Sequence, residues 1–312
     1  MKSTTQHSQK IKDHVLKQGF DKVGLCAPQD VQSYAAYLNW VDKGFAGNMH
    51  YMAEQERKQK RQNVQKLMPK CQTVLMASIS YKPKEENVQN YEAKIARYAW
   101  GKDYHKLLKK KLKQAMQTFM EEQELEFDYK IYVDTGPILE RDYAVQAGLG
   151  WIGKNTCLID THLGSYTLLA CVLLNLELMP DPPMLRQHCG TCTRCLDACP
   201  TDAFEAPYVL NANKCISYHT IENRDEDLPN NIAENLEGWM IGCDICQEVC
   251  PWNRKAPAHN KEAFIPKTHV GLSIQDIQNM DEASFKQHFA GTSLYRTGLK
   301  KIKMTAKSSK KF

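Results

Sequence analysis

Eight of the twelve cysteines fall between Cys189 and Cys250, and their spacing is the first chemistry the sequence offers. The run Cys189-Gly-Thr-Cys192-Thr-Arg-Cys195-Leu-Asp-Ala-Cys199-Pro200 reads C-x2-C-x2-C-x3-C-P. Three thiolates at such short gaps wrap one [4Fe–4S] cluster, while the fourth, before proline, reaches a second cluster. A second run, Cys243-Asp-Ile-Cys246-Gln-Glu-Val-Cys250-Pro251, repeats the pattern without its first cysteine, and Cys215 upstream is the candidate for the missing thiol. Exchange of the two x3-C-P cysteines assigns Cys189, Cys192, Cys195 and Cys250 to cluster one. Cluster two takes Cys199, Cys215, Cys243 and Cys246. Structural zinc also uses C-x2-C pairs, but it has no need of the x3-C-P ending twice. The remaining Cys26, Cys71, Cys157 and Cys171 sit in apolar strings and are expected to be buried and inert.

Compartment and charge agree with this reading. No N-terminal apolar stretch or twin-arginine pair marks export, and the apolar run Thr167–Leu174 is only eight residues, far short of a membrane span. A cytoplasmic protein without membrane association is expected, and reduced thiols there ligate metals rather than form disulfides. The 312 residues, 42% hydrophobic and 25% charged, allow two compact domains. The net charge of +5 comes from residues 300–312, which carry six lysines and no acid; the rest of the chain nets −1. Such a tail can attract phosphate backbones, although a solvated, disordered end is its commoner meaning.

The elements that must position the cysteines read as α+β. Residues 1–180 are expected to form an N-terminal α/β domain, and residues 181–258 a ferredoxin-like two-cluster domain. A short C-terminal segment, 259–312, follows, with a helical stretch near 281–288. Apolar periodicity predicts helices over 9–18, 30–43 and 103–126, the last with Leu107, Leu108, Leu112, Met116 and Phe119 on one face and lysines on the other. Buried strands are expected over 73–81 and 129–133, and paired strands over 156–160 and 165–174. Between them a helix over 138–147 carries Pro137 in its first turn. Gly148-Leu-Gly150-Trp-Ile-Gly153 spells G-x-G-x-x-G, but a dinucleotide fingerprint needs a strand before it and a helix after it. Here the order is reversed, so nicotinamide or flavin binding is rejected.

With these residues laid out, the chain resembles the epoxyqueuosine reductases. The resemblance rests on Arg97-Tyr-Ala-Trp-Gly-Lys-Asp-Tyr-His105, Val133-Asp-Thr-Gly-Pro-Ile-Leu-Glu-Arg141, Ala147-Gly-Leu-Gly-Trp-Ile-Gly-Lys-Asn155, Cys215-Ile-Ser-Tyr-His-Thr-Ile-Glu222 and both cysteine runs, and covers about residues 10–296. It implies a cobalamin held between the N-terminal and cluster domains, fed with electrons by the clusters. The implied reaction removes an epoxide oxygen as water, with two electrons and two protons, to give queuosine in transfer RNA. It implies Asp134 as the catalytic proton donor, a role that at neutral pH calls for a raised pKa. Arg57, Arg97, Asp134, Asn155 and Ser217 become cobalamin-binding candidates, and Lys102, the lysines of 106–113 and Arg224 become contacts to transfer RNA phosphates. An external low-potential electron donor and a monomer are expected.

The chain departs from the longer family members in lacking their C-terminal helical repeats. It also lacks the Arg-Asn pair after Gly298, where Lys300-Lys-Ile-Lys-Met304 stands instead. RNA affinity is therefore expected to lean on the lysine tail. A corrinoid reductive dehalogenase and a non-catalytic iron–sulfur electron carrier share parts of this plan and stay open as alternatives.

Overall fold

The computed structural model describes residues 2–87, 91–259 and 261–309. Its centre is the strand Thr73–Ser80, buried at all eight positions. A strand with no solvent face must lie inside its sheet. It pairs antiparallel with Lys22–Cys26 on one side and Thr167–Leu174 on the other, and Tyr129–Tyr132 closes the outer edge of this four-stranded sheet.

Helices cover both sheet faces. On one lie Lys2–Lys17 and Tyr104–Gln123, which bury Ile11, Val15, Leu108, Leu112, Met116 and Phe119 against Leu75, Ala77 and Val172. The buried residues of the second helix recur every three or four positions, and each contributes about 1.5–3 kcal/mol. Asp103 starts this helix by accepting the His105 N–H, and Glu124 ends it in the left-handed region at φ 50°. On the other face the helix Glu140–Gln146 packs Tyr143 and Ala144 among Cys26, Cys71 and Cys171. Those three thiols are buried, as expected.

Several local expectations change. The helix expected over 30–43 is shorter, Tyr34–Asp42. Pro137 lies ahead of its helix, which Leu139 precedes as the cap, so it is not in the first turn. The strands expected to pair across 156–174 do not pair along their length. Leu158–Ile159 pairs with Trp151–Ile152, and Thr167–Leu174 joins the central sheet, leaving one bridge between Asp160 and Gly164. The glycines of the G-x-G-x-x-G string serve this small hairpin. A Cβ on Gly150 would sit 2.2 Å from the Ile159 carbonyl oxygen, so the close backbone approach requires glycine there.

The C-terminal segment shares a core with earlier parts of the chain. Trp239–Ile241 pairs parallel with Lys94–Ile95, and this ribbon packs against Ile277, Phe285, Phe289, Leu294 and Ile302. The lysine-rich end is correspondingly ordered: Leu299–Ser309 is a helix, with Ile302, Ala306 and Lys301 buried. Lys300 pairs with Glu226 at 2.7 Å, and Lys310 and Lys311 lie outside the described residues. The expected disordered end is thus largely an amphipathic helix whose apolar positions, 299, 302 and 306, are spaced to seal the core. Among the described residues no helix is long and apolar enough to cross a membrane. Ile302→Ala is expected to destabilise the fold by about 2–5 kcal/mol in chemical denaturation, while Lys307→Ala on the exposed side changes it by less than about 0.5 kcal/mol.

Candidate functional site

The eight cysteines gather into two groups in space. Cys195 has Cys250, Cys189 and Cys192 as its charged neighbours, and one cavity is lined by these four together with His188 and Trp252. Cys243 has Cys215 and Cys199 beside it, and Cys246 has Cys243 and Cys215. Each thiol opposes ionisation of the next; burial and these neighbours push Cys195 up to about 11. Cationic iron is the counter-charge such a set requires. Among the described residues no three His, Cys, Asp or Glu side chains converge as a single-ion site; a cubane instead takes its thiolates on separate irons.

Both sets fit [4Fe–4S] clusters. Short helical turns, Arg194–Asp197 and Ile245–Glu248, carry the middle cysteines of the two runs. Beside Cys250, Trp151 keeps a buried indole N–H without a partner, a donor suited to a cluster sulfur. The Ser217 and Tyr218 amides point their N–H groups at the Cys215 sulfur. Ser217, read as a corrinoid contact, thus supports a cluster ligand through its backbone.

Asp134 follows the edge strand at φ 61°, a left-handed conformation that side chains seldom adopt. Three neighbours hold it there. Its N–H donates to Glu140 Oε1 at 3.0 Å. The Tyr104 hydroxyl donates to its Oδ2 at 3.0 Å, and His105 Nε2 lies 3.2 Å from the same oxygen. His105 Nδ1 in turn meets Asp103 Oδ1 at 2.8 Å, and its ring stacks on Tyr104 at 4.0 Å. Asp103, Tyr104, His105, Asp134 and Glu140 form one connected unit.

The charges of this unit differ from expectation. Burial pulls Asp134 upward, but hydrogen bonds from His105 and Tyr104 and the charges of His105 and Arg296 hold it below the usual carboxylate range. The raised pKa expected of Asp134 is found instead at Glu140, pushed up to about 8 by burial and by the Asp134 charge. Burial acts against the His105 charge, yet its bonds to Asp134 and Asp103 raise its pKa. The unit thus favours the protonated imidazole of His105 beside Asp134 and keeps Glu140 a neutral acid up to about pH 8.

The other candidates scatter. Arg97 is partly buried; its Nη1 reaches Asp244 at 3.0 Å and Glu248 at 2.8 Å, and its amide donates to Asp244 at 2.8 Å. One nitrogen of its fork is thus tied to the cluster-two turn. Arg57 is half-buried, pairs with Glu54 at 3.0 Å and lies over Tyr51. Asn155 is buried and bonds the Cys246 carbonyl at 3.3 Å. Lys102 and Arg224 are both exposed.

Sequence reasoning passed over Tyr104, His105, Glu140 and Arg296, although each stood inside or beside a motif string. The adjacent Asp103-Tyr-His105 at a helix start was the available signal. Tyr98 lies within electrostatic range of Asp134, Asp244, Arg296 and Glu222 together. Tyr51, Tyr98, Tyr104 and Arg296 all lie within such range of Asp134, rings with polar tips and a cation that suit a broad corrin ring with amide-bearing edges. Since Glu140 binds its proton more tightly folded than unfolded, its stabilising effect is full at low pH and is lost as pH rises from about 4.5 to about 8. Glu140→Gln is expected to flatten that part of a stability-against-pH curve; an unchanged slope would assign the loss elsewhere.

Comparison with known proteins places this geometry. Residues 61–135 match the family model "Epoxyqueuosine reductase QueG, DUF1730", and residues 188–253 match a "4Fe-4S double cluster binding domain". The chain is 44% identical to the epoxyqueuosine reductase of Synechocystis sp. over 83% of its length and 88% of that protein. It is 40% identical to that of Cyclobacterium marinum over 95% of its length and 94% of the relative. A crystal structure of epoxyqueuosine reductase with an epoxyqueuosine-modified tRNA-Tyr stem loop superposes with TM-score 0.88 at 28% identity, over 97% of this chain and 80% of that one. With its thiols sorted into two sets beside a tethered aspartate, the chain belongs to the epoxyqueuosine reductase family.

Proposed function

We propose that this chain reduces epoxyqueuosine to queuosine at the wobble position of transfer RNA, with Asp134 delivering a proton to the departing epoxide oxygen. The observation that carries the reading is the position of Asp134: half exposed, held by three neighbours, and linked through Tyr98, which feels both Asp134 and Asp244, to the cluster-two turn. The overall change takes two electrons and two protons and releases the oxygen as water. When bound, the two [4Fe–4S] clusters and cobalamin supply the electron storage and cobalt chemistry that this change needs.

The residues present account for the proton side. His105 holds a proton at Nε2, 3.2 Å from Asp134 Oδ2, and Asp103 orients the ring through Nδ1. Asp134 passes a proton on and recovers one from His105. A substrate that covers the half-exposed carboxyl removes its water and moves its pKa upward, which turns a resting carboxylate into a donor. Glu140 fixes the backbone of Asp134, so the acid keeps one aim through turnover.

Residues 1–180 would thus carry the proton chemistry and 181–258 the electron supply. Electrons come from an external low-potential carrier to a monomeric cytoplasmic enzyme, and Lys102 and Arg224 contact RNA phosphates. Asp134→Ala is expected to retain about eight irons per chain and to bind cobalamin, while queuosine formation under anaerobic reducing conditions falls by about 100-fold or more. Full activity in that variant would remove Asp134 from the mechanism. Lys102→Ala and Arg224→Ala should each lower the slope of log affinity against log salt by about one for the modified stem loop. A slope unchanged in either variant would take that residue out of the RNA contact.

A further inference from the structure

We propose that the exposed face around cluster one is the docking surface for a small acidic redox protein that delivers electrons at low potential. The inference deepens the reading above, which needs an external carrier, and names where that carrier sits. The two cysteine runs differ in their access to solvent. In the first, Gly190, Thr191, Thr193 and Arg194 are all exposed between the cysteines. In the second, Asp244, Ile245 and Gln247 are buried, as are Ile216, Tyr218 and His219 after Cys215. The exposed Glu248 of that run is held by Arg97 at 2.8 Å. Electron transfer weakens steeply with distance, so a protein carrier exchanges electrons at the run that meets the surface.

The rim of this face is built from two distant parts of the chain. Leu185 is 72% exposed, more than any other large hydrophobic side chain among the described residues. Beyond it the Tyr208 hydroxyl donates to Gln187 Oε1 at 2.6 Å. Tyr208 stands at the tip of the hairpin Phe204–Ala206 with Val209–Leu210, at a left-handed φ of 70°, and keeps 40% of its surface exposed. Its amide donates to the Lys154 carbonyl at 2.9 Å, and Lys154 Nζ donates to the Gly190 and Cys192 carbonyls at 2.8 and 3.0 Å. The cluster-one loop is thereby pinned from below, and an aliphatic and an aromatic side chain stand proud beside it. Electron-transfer encounters bury less than about 1,200 Å², so a small rim of this kind is sufficient.

Charge selects the partner. From Pro182 to Leu196 the chain carries Arg186 and Arg194 and no acid. Both arginines are exposed, and among the described residues neither forms an ion pair. Lys154 adds a third cation under the loop. The next acid along the chain, Asp197, accepts from Thr193 Oγ1 at 2.7 Å. A cationic rim around an apolar spot steers an acidic protein of matching shape and raises its association rate. In each encounter one electron leaves the reduced centre of the carrier and enters cluster one; no bond forms and no proton moves. Two encounters supply the two electrons of one turnover.

The test is anaerobic stopped-flow bleaching of the loaded enzyme's clusters by a photoreduced acidic [2Fe–2S] ferredoxin. Photoreduced deazaflavin, a small reductant with no docking face, is run beside it on the parent, Arg186→Glu and Leu185→Ala. Arg186→Glu is expected to slow reduction by ferredoxin about tenfold at about 10 mM salt and by less than about twofold at about 500 mM. Leu185→Ala should slow it about threefold at both, because an apolar contact is not screened. Iron content and the deazaflavin rate should match the parent in both variants. Leu185→Ala keeps the question decidable if the charge reversal costs iron. Parental ferredoxin rates in every variant that retains iron would overturn the proposal. So would weakened binding of the modified stem loop by Arg186→Glu at an unchanged ferredoxin rate, which gives this face to RNA. Queuosine formation driven by deazaflavin checks the activity reading separately: its absence in the parent sinks that reading, while the ferredoxin rates still decide this one.

Discussion

A partly buried arginine ties the turn that carries Cys243 and Cys246 to the start of the long helix. Arg97 belongs to the turn before the long helix that carries Tyr104 and His105, and its guanidinium and amide both end on Asp244. Asp244 stands between the cluster-two ligands Cys243 and Cys246. Burial pushes the Asp244 carboxyl up, and Arg97 draws it back toward the ionised form. Breaking a buried pair leaves one charge stranded, at a cost of about 3–5 kcal/mol. Aromatic faces enclose the pair, since Arg97 also lies over Trp100 and Tyr166. A low-dielectric clasp of this kind fixes the cluster-two turn against the turn that leads into Tyr104 and His105.

The catalytic unit is itself a balance of costs. A left-handed Asp134 is strained by about 1–3 kcal/mol, and the surrounding bonds must over-determine it. Tyr104 and His105 come from the start of one helix and Glu140 from the start of another, with the sheet between them setting their separation. Three carboxyl groups then share one region. Asp134 is drawn down by its donors and Glu140 is driven up to about 8 by burial and by Asp134, while Asp103 orients the imidazole that meets Asp134. Divergent pKa values among neighbouring acids are how one site can both hold and release protons near neutrality.

The C-terminal helix shows composition misleading and periodicity correcting it. Six lysines in thirteen residues suggest a solvated end. Yet Leu299, Ile302 and Ala306 are spaced three and four apart, and that spacing closes the core over the Lys94–Ile95 and Trp239–Ile241 ribbon. Lys301 is carried inside with no partner for its ammonium, and burial beside Arg224 lowers its pKa to about 8. Apolar burial at three positions outweighed the desolvation of one cation.

The sequence by itself determined what short spacing can determine. Cysteines two and three residues apart have few ways to surround a cubane, so a two-cluster domain was legible, as were the central strand and the long helix with its apolar stripe. The string of motifs also carried Asp134 and the family. Contacts between residues far apart in the chain were decided only by tertiary structure. Arg97 meets Asp244 across 147 positions, and Asp134 meets Tyr104 across 30. Asn155 meets the Cys246 carbonyl across 91 positions, and Leu158–Ile159 pairs with Trp151–Ile152 rather than with the following strand. Nor could local sequence give the charge of Asp134, because a pKa is set by whichever donors and charges the fold brings within a few ångströms.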